Sequence, residues 1–169
     1  WKHFMRGYLA SISYVDHQVG RLLDALDSSG LKNNTVVVLW TDHGFHIGEK
    51  ENWEKFALWD QTTRVPLFIH APGLSKDGAK TRQPVTLTDL YPTLCELAGL
   101  PVPKQCDGVS LVPQLRKPQQ HSSSVSLTSF QFWGDSSPSH AVSDECHRLI
   151  SYPDGFIELY DLLEDPHEF

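Results

Sequence analysis

The residues best placed to do chemistry are Asp42 and His43, which follow a short apolar run and precede Gly44. The run, Thr35 to Thr41, is rich in β-branched residues, which is typical of a strand buried on both faces by helices. Ligands collect at the carboxyl ends of strands in a parallel sheet, so this pair marks a candidate site. Adjacent strand residues point to opposite faces, and Gly44 therefore indicates a turn that lets both side chains face one point.

A divalent cation is the simplest partner for a carboxylate beside an imidazole. Calcium takes about six to eight oxygen ligands and zinc about four ligands, so Asp42 and His43 would supply only part of a site. The alternative is a strand-end aspartate that caps a turn beside a surface histidine. The tripeptide alone does not decide between these two interpretations.

The segment after this pair resembles the carboxyl-side half of the type I sulfatase signature, within the alkaline phosphatase superfamily. Two runs carry the resemblance, GEKENWEK from Gly48 to Lys55 and TTRVPL from Thr62 to Leu67. They are similar to the iduronate-2-sulfatase branch, in which glycine-glutamate, then tryptophan and lysine, precede an Arg-Val-Pro-Leu strand. Asp89 to Thr93 and Glu158 to Pro166 also resemble the family, so the similarity covers most of the chain.

The resemblance implies that Asp42 and His43 are two ligands of the active-site divalent cation, normally Ca²⁺. It also implies that Lys55 is catalytic and binds a sulfate oxygen. A fixed cation and a lysine would stabilise the charge that develops on the leaving oxygen. Many sulfatases carry Asn at the position of His43, and imidazole suits zinc or manganese better than calcium, so another divalent cation stays open. His46, Lys50 and Trp53 are predicted to line the substrate mouth, or Trp53 packs the loop instead.

Length and charge exclude some classes of function. The 169 residues suffice for one domain with a core, and the net charge of -7 provides no basic surface for nucleic acid. No apolar run approaches the length of a membrane span, and no signal peptide begins at Trp1. These features predict a mature or truncated soluble chain. The resemblance implies a secreted, periplasmic or lysosomal location.

Periodicity predicts the elements that position the candidate site. The expected helices run from Trp1 to about Ser28, with an apolar stripe from Tyr8 to Leu26, and from Thr88 to Ala98. The expected strands cover 65–70, 124–132, 141–151 and 156–160, the last two joined by a hairpin turn at Tyr152–Gly155. The fold class is α/β, as part of a sulfatase/alkaline-phosphatase-like α/β sandwich. We expect residues 1–120 in the catalytic domain and 121–169 in a small, incomplete antiparallel β subdomain.

The nucleophile that the resemblance implies is missing from this chain. Type I sulfatases use formylglycine made from the cysteine of a Cys-x-Pro-Ser-Arg motif, and that pattern follows none of Cys95, Cys106 or Cys146. The upstream paired aspartates are missing too. We therefore predict the carboxyl-side part of a sulfatase, inactive alone, whose partners are its own amino-terminal part and a sulfated glycan or small sulfate ester. A phosphodiesterase or phosphonate monoester hydrolase of the same superfamily, or a non-catalytic structural piece, are the alternatives.

Overall fold

The computed structural model describes residues 1–120 and 124–169. The domain boundary predicted after residue 120 falls on residues 121–123, which lie outside the described residues. The helices are α1 Lys2–Ser28, α2 Asp60–Thr63, α3 Leu90–Leu97 and α4 Val112–Arg116. The strands are β1 Val37–Trp40, β2 His46–Ile47, β3 Trp53–Glu54, β4 Leu67–His70, β5 Ser126–Phe130, β6 Ser139–Ser143, β7 His147–Ser151 and β8 Ile157–Asp161.

Strand β1, which leads into the candidate site, pairs with β4 in an antiparallel ladder from Val37–His70 to Trp40–Leu67. The prediction that this strand is buried on both faces is wrong for the described chain. Leu39 is 40% exposed and Trp40 is 51% exposed. Because neighbouring strand residues point to opposite faces, neither face of the ladder is fully covered by the described elements. No parallel neighbour of β1 occurs among residues 1–120 and 124–169.

The predicted antiparallel sheet near the carboxyl terminus is confirmed, with strand order β5-β6-β7-β8. The single strand predicted over 141–151 is wrong, because the chain turns between β6 and β7. The Asp144 carboxylate accepts hydrogen bonds from the backbone N–H groups of Cys146, at 2.7 Å, and His147, at 2.6 Å. An aspartate that binds the backbone two and three residues ahead forms a turn, so it ends a strand.

The hydrophobic core lies between this sheet and the segment that follows β3. Leu58, Ala141 and Ile150 are buried at its centre, and the aromatic residues around them are Trp59, Phe130, Tyr152 and Tyr160. Ala141 and Ile150 face each other across the β6–β7 ladder. The core therefore joins the carboxyl-terminal sheet to the segment that contains the candidate site.

Helix α1 is observed as predicted, but its apolar stripe is not buried. Ile12 and Val15 are about half exposed and Leu22 is 72% exposed, since their partner surface is not among the described residues. Contacts form at the beginning of the helix, where Phe4 stacks on Phe45 with ring centroids 6.1 Å apart. Within the described part of the chain, no helix combines the length and the hydropathy required to cross a bilayer.

Helix α3 begins with a capping box that differs from the predicted cap. Thr86, two residues before the predicted Thr88, is the N-cap of a short 3-10 turn at Leu87–Asp89. The backbone N–H of Thr86 donates to the Asp89 carboxylate at 2.8 Å. The cap moves because Asp89 is the acidic residue three positions after Thr86 that a capping box requires.

Candidate functional site

Asp42 and His43 lie side by side where the chain leaves β1. The nearest carboxylate oxygen of Asp42 is 3.6 Å from Nε2 of His43, and the other oxygen accepts the His43 backbone N–H at 3.1 Å. Hydrogen bonds from backbone N–H groups, first its own and then that of His43, lower the pKa of Asp42 below its usual value. Asp42 is therefore an exposed carboxylate that stays ionised at neutral pH.

The His43 ring is oriented by a backbone carbonyl. Its Nδ1 lies 2.8 Å from the oxygen of Gly44, so in the neutral ring Nδ1–H donates and Nε2 keeps its lone pair. That lone pair stands on the side of the Asp42 carboxylate. The two donor atoms are 3.6 Å apart, a separation at which one cation can contact both.

Gly44 is needed because two backbones meet there. Its N–H donates to the carbonyl of Thr62 at 2.8 Å, and the N–H of Phe45 donates to the carbonyl of Gln61 at 3.1 Å. A Cβ at position 44 would lie 1.9 Å from the Gln61 oxygen, far inside van der Waals contact. The end of β1 is thus hydrogen-bonded to α2, and the site residues are held by α2.

Lys55 lines the same open cleft as Asp42 and His43, together with Arg64. The Lys55 ammonium lies 5.9 Å from the centroid of the Phe56 ring. Phe56 in turn lies 5.7 Å from Phe130 of β5. The cleft is extended, and Lys55 and Arg64 are two of the seven lysine and arginine side chains that line it, beside the carboxylate–imidazole pair and five other carboxylates. The aromatic rings of Phe56 and Phe130 also line it near Lys55, so the cleft offers both cationic and apolar surface.

The loop between this pair and Lys55 has a strained backbone. Gly48 has φ of 118°, while Lys50, Glu51 and Glu54 have φ of 53°, 57° and 73°. Positive φ costs a non-glycine residue roughly 1 kcal/mol or more, so such a loop persists only when surrounding contacts hold it. The β2–β3 ladder supplies two such pairings, His46 with Glu54 and Ile47 with Trp53.

The structure separates His46 and Trp53 from the cleft that contains Lys55. His46 is fully buried with its ring edge against Trp59, and burial lowers its pKa, so it stays neutral. Trp53 packs edge-on against Phe4 of α1 at 5.5 Å. This geometry favours the packing role for Trp53, and the substrate-binding roles of both residues stay predictions that the described contacts do not support.

Sequence reasoning missed a buried ion network that holds α2 in place. Arg148 of β7 contacts Asp60 at 2.7 Å and Glu168 at 2.8 Å, and it donates to the carbonyl of Leu58 at 3.1 Å. Glu168 also accepts the backbone N–H of Asp60 at 2.8 Å. Burial raises the pKa of the Glu168 carboxyl, while Asp60 N–H and Arg148 stabilise its ionised form. One signal in the sequence could have indicated this network: Arg148 is two residues before Ile150, so in a strand it shares the face of that apolar side chain.

A second polar network joins the loop to β8. Glu158 accepts hydrogen bonds from Trp59 Nε1 at 2.8 Å and from the Tyr160 hydroxyl at 2.6 Å. Burial opposes ionisation of Glu158, but the bonds from Tyr160, Trp59 and Tyr152 outweigh it and lower its pKa. The Lys50 ammonium donates to the Tyr160 hydroxyl at 3.1 Å, which brings the loop into the network.

Whether this site could hold a divalent cation depends on how many metal-ligating side chains surround Asp42 and His43. Asp42 and His43 provide one oxygen and one nitrogen that converge, but no group of three or more metal-ligating side chains occurs among residues 1–120 and 124–169. A calcium or zinc ion needs more ligands than these two. The described residues therefore fit one side of a cation site.

Comparison with known proteins shows the class to which this fold and site belong. The family model described as Sulfatase matches residues 2–100. A solved structure of BT4656 in complex with its substrate D-glucosamine-2-N,6-O-disulfate superposes with a TM-score of 0.86 at 29% identity, over 95% of this chain and 34% of that chain. The phosphonate monoester hydrolase of Agrobacterium radiobacter superposes with a TM-score of 0.79 at 28% identity, over 93% and 34% of the two chains.

The chain belongs to the sulfatase family. It is 40% identical over its whole length to a sulfatase of Formosa agariphila, of which it covers 32%. It is 38% identical to human iduronate 2-sulfatase over 60% of this chain and 23% of that protein. The chain thus spans about a third of the length of the Formosa relative, which agrees with the predicted carboxyl-side portion.

Proposed function

We propose that the full-length protein hydrolyses sulfate esters, with sulfated glycans as the substrate class. The single observation that carries this proposal is the shared cleft of Asp42, His43 and Lys55 in a chain of the sulfatase family. Relatives named as an iduronate 2-sulfatase and an N-acetylglucosamine-6-O-sulfatase support a sulfated sugar. Secretion, or a periplasmic or lysosomal location, stays part of this proposal.

Each side chain has a role that follows from its charge. Lys55 would bind a non-bridging sulfate oxygen as a point charge, and Arg64 is one of the other cations at the same cleft. Asp42 and His43 would hold a divalent cation, Ca²⁺ or another, together with ligands from the amino-terminal part of the enzyme. When bound, the cation would polarise the ester and stabilise negative charge. The nucleophile, formylglycine, would come from the amino-terminal part.

The test of this proposal is Lys55→Ala in the full-length enzyme, assayed on an aryl sulfate and on a sulfated disaccharide. Loss of a charge that contacts the transition state costs about 2–4 kcal/mol, so kcat/KM should fall by roughly thirty- to a thousandfold. Lys104→Ala is the matched control, because Lys104 is exposed and outside the cleft. An unchanged rate in Lys55→Ala would remove Lys55 from the site.

The cation is tested by its removal and by the ligand exchange His43→Asn. Dialysis against a chelator should abolish turnover, and re-addition of Ca²⁺, Mn²⁺ or Zn²⁺ should restore it. The ion that restores the highest activity is the preferred one. Because imidazole favours borderline metals and an amide oxygen favours calcium, His43→Asn should move that preference toward Ca²⁺. The same order in both enzymes would contradict the ligand role of His43.

A phosphonate monoester hydrolase is the second candidate, and a specific observation favours it. The Agrobacterium enzyme of that name shares the fold over 93% of this chain. The two functions separate when one preparation is assayed on aryl sulfate and on an aryl phosphonate monoester. A kcat/KM at least a hundredfold higher on the phosphonate would replace the sulfatase proposal.

A non-catalytic structural role for the chain is the remaining alternative. It predicts that the full-length protein turns over neither ester. Retention of an ionised Asp42 beside an oriented His43 argues against it.

A further inference from the structure

Lys50 lies in a box of aromatic rings that nothing in the proposed chemistry uses. Its ammonium is 4.8 Å from the Trp59 ring centroid, 4.9 Å from Tyr160 and 5.7 Å from Phe169. It donates to the Tyr160 hydroxyl at 3.1 Å and also to the backbone carbonyl of Glu168. A cation over several aromatic faces, partly removed from water, gains about 1–2 kcal/mol from the rings.

The box connects two distant parts of the chain. Lys50 belongs to the strained loop before Lys55, whereas Tyr160, Glu168 and Phe169 follow or belong to the carboxyl-terminal sheet. The contacts therefore tie the loop to β8 across more than a hundred residues. A flexible lysine stem would not stay in one place on a surface, so these partners are what fix it.

Glu168 holds the chain on both sides of Lys55. Its carbonyl accepts the Lys50 ammonium, and its carboxylate accepts the Asp60 backbone N–H at 2.8 Å. Lys55 stands midway along the ten-residue interval between those two anchors. The backbone at Glu54, directly before Lys55, has φ of 73°, and its strain is opposed by these tethers.

We propose that Lys50 is a positioning residue for Lys55: its ammonium, held by Trp59, Tyr160 and Phe169, fixes the loop that presents Lys55 to the substrate anion. This inference rests on the anion-binding role given to Lys55 under the proposed function. It assigns the carboxyl-terminal sheet a part in substrate binding without contact to substrate. A displacement of about 1 Å at a binding group can reduce a rate a hundredfold, so the effect of losing the box is measurable.

The experiment compares Lys50→Met, Lys50→Arg and the exposed control Lys104→Met in the full-length enzyme. The measurements are kcat and KM on an aryl sulfate, the inhibition constant of inorganic sulfate, and unfolding in urea. We expect Lys50→Met to weaken sulfate inhibition and to lower kcat/KM by roughly ten- to a hundredfold. Lys50→Arg should recover most of this loss, because guanidinium also binds aromatic faces.

Two further variants remove parts of the box and keep the charge of Lys50. Tyr160→Phe deletes the hydrogen bond from Lys50 and also the one that the hydroxyl donates to Glu158, and Phe169→Ala deletes one wall. Each should weaken sulfate inhibition severalfold, so the proposal stays testable if Lys50→Met does not fold. Unchanged sulfate inhibition in a folded Lys50→Met, or in both of these variants, would overturn it.

The outcomes separate this inference from the proposed function. If the wild-type enzyme is not inhibited by sulfate and Lys55→Ala is without effect, the proposed function fails. If wild type binds sulfate and Lys50→Met binds it equally well while being less stable in urea, Lys50 contributes only to stability and the positioning inference fails.

Discussion

Arg148→Met gives the sharpest test of how the site is held. The Arg148 side chain is 6% exposed and lies between Glu168, which is fully buried, and Asp60, which is 18% exposed. Methionine fills much of the same volume but leaves the buried Glu168 without its arginine and Asp60 with only the exposed Arg64 as a partner. Removal of one partner from a buried ion pair costs about 3–5 kcal/mol, so we expect the free energy of unfolding to fall by that amount at pH 7.5.

The chain offers a matched control in Arg64→Met. Arg64 pairs with the same Asp60 at 3.4 Å, but its side chain is 80% exposed. Exposed ion pairs contribute about 0–1 kcal/mol, so this variant should unfold close to wild type. The assay is urea unfolding of the full-length enzyme followed by tryptophan fluorescence, with aryl sulfatase activity read at each concentration.

The Arg148→Met deficit should also depend on pH with a defined sign. The pKa of Glu168 is already raised by burial, and loss of Arg148 removes a group that lowers it, so the folded variant retains a proton more readily. A folded-state pKa above the unfolded value means that stability is lost as pH rises. The deficit should therefore shrink between pH 7.5 and pH 5. A deficit below 1 kcal/mol, or one that grows as pH falls, would refute the burial argument.

Three other changes probe contacts around the site. Gly44→Ala places a methyl group against the Gln61 carbonyl, so it should lower the free energy of unfolding by about 2–3 kcal/mol and remove most of the activity. The control is Gly20→Ala, which meets nothing within 4 Å and should stabilise α1 slightly. Thermal unfolding of both variants measures the difference. Thr93→Val removes the acceptor that binds the Leu111 N–H at 2.8 Å, and urea unfolding should show a loss of about 1–3 kcal/mol. Glu158 has a lowered pKa, so its contribution is complete above the unfolded value of 4.5 and is lost as pH falls through the folded pKa. Wild type should therefore lose stability in acid more steeply than Glu158→Gln, and parallel curves below pH 6 would contradict this.

Local signals carried much of the sequence prediction. The β-branched run before Asp42, the end of the first helix at Ser28 and the Tyr152–Gly155 turn depend on neighbours a few residues apart, and all three are observed. The turn at Asp144 was missed although it is local, because an aspartate inside an alternating run does not by itself end a strand. Burial of β1 was overestimated, and the apolar stripe predicted for α1 is exposed. Periodicity shows which face of an element is apolar but not whether a partner surface is present in the same chain.

In the candidate site too, the local features could be predicted from the sequence and the long-range contacts could not. The adjacency of Asp42 and His43 follows from the sequence, and their convergence could be anticipated from Gly44, although the reason is a close backbone contact rather than a positive φ. The contacts from Arg148 to Asp60 and from Lys50 to Glu168 join residues about ninety and more than a hundred positions apart. No local pattern sets such pairings, because they depend on how β7 and β8 pack against α2.

The two networks explain why a strained loop can serve as part of a binding site. Each positive φ at Lys50, Glu51 and Glu54 destabilises the loop by itself, so its conformation must be set from outside. The Lys50 box fixes the chain on the amino-terminal side of Lys55, and the Glu168 carboxylate fixes it on the carboxyl-terminal side by binding the Asp60 N–H. The backbone hydrogen bonds of Gly44 and Phe45 tie Asp42 and His43 to α2, which Glu168 and Arg148 hold in place. The positions of Asp42, His43 and Lys55 therefore depend on the same buried contacts. On the roles proposed for Asp42, His43 and Lys55, a change at Glu168 should therefore alter binding of both the cation and the anion, although Glu168 contacts none of these three side chains.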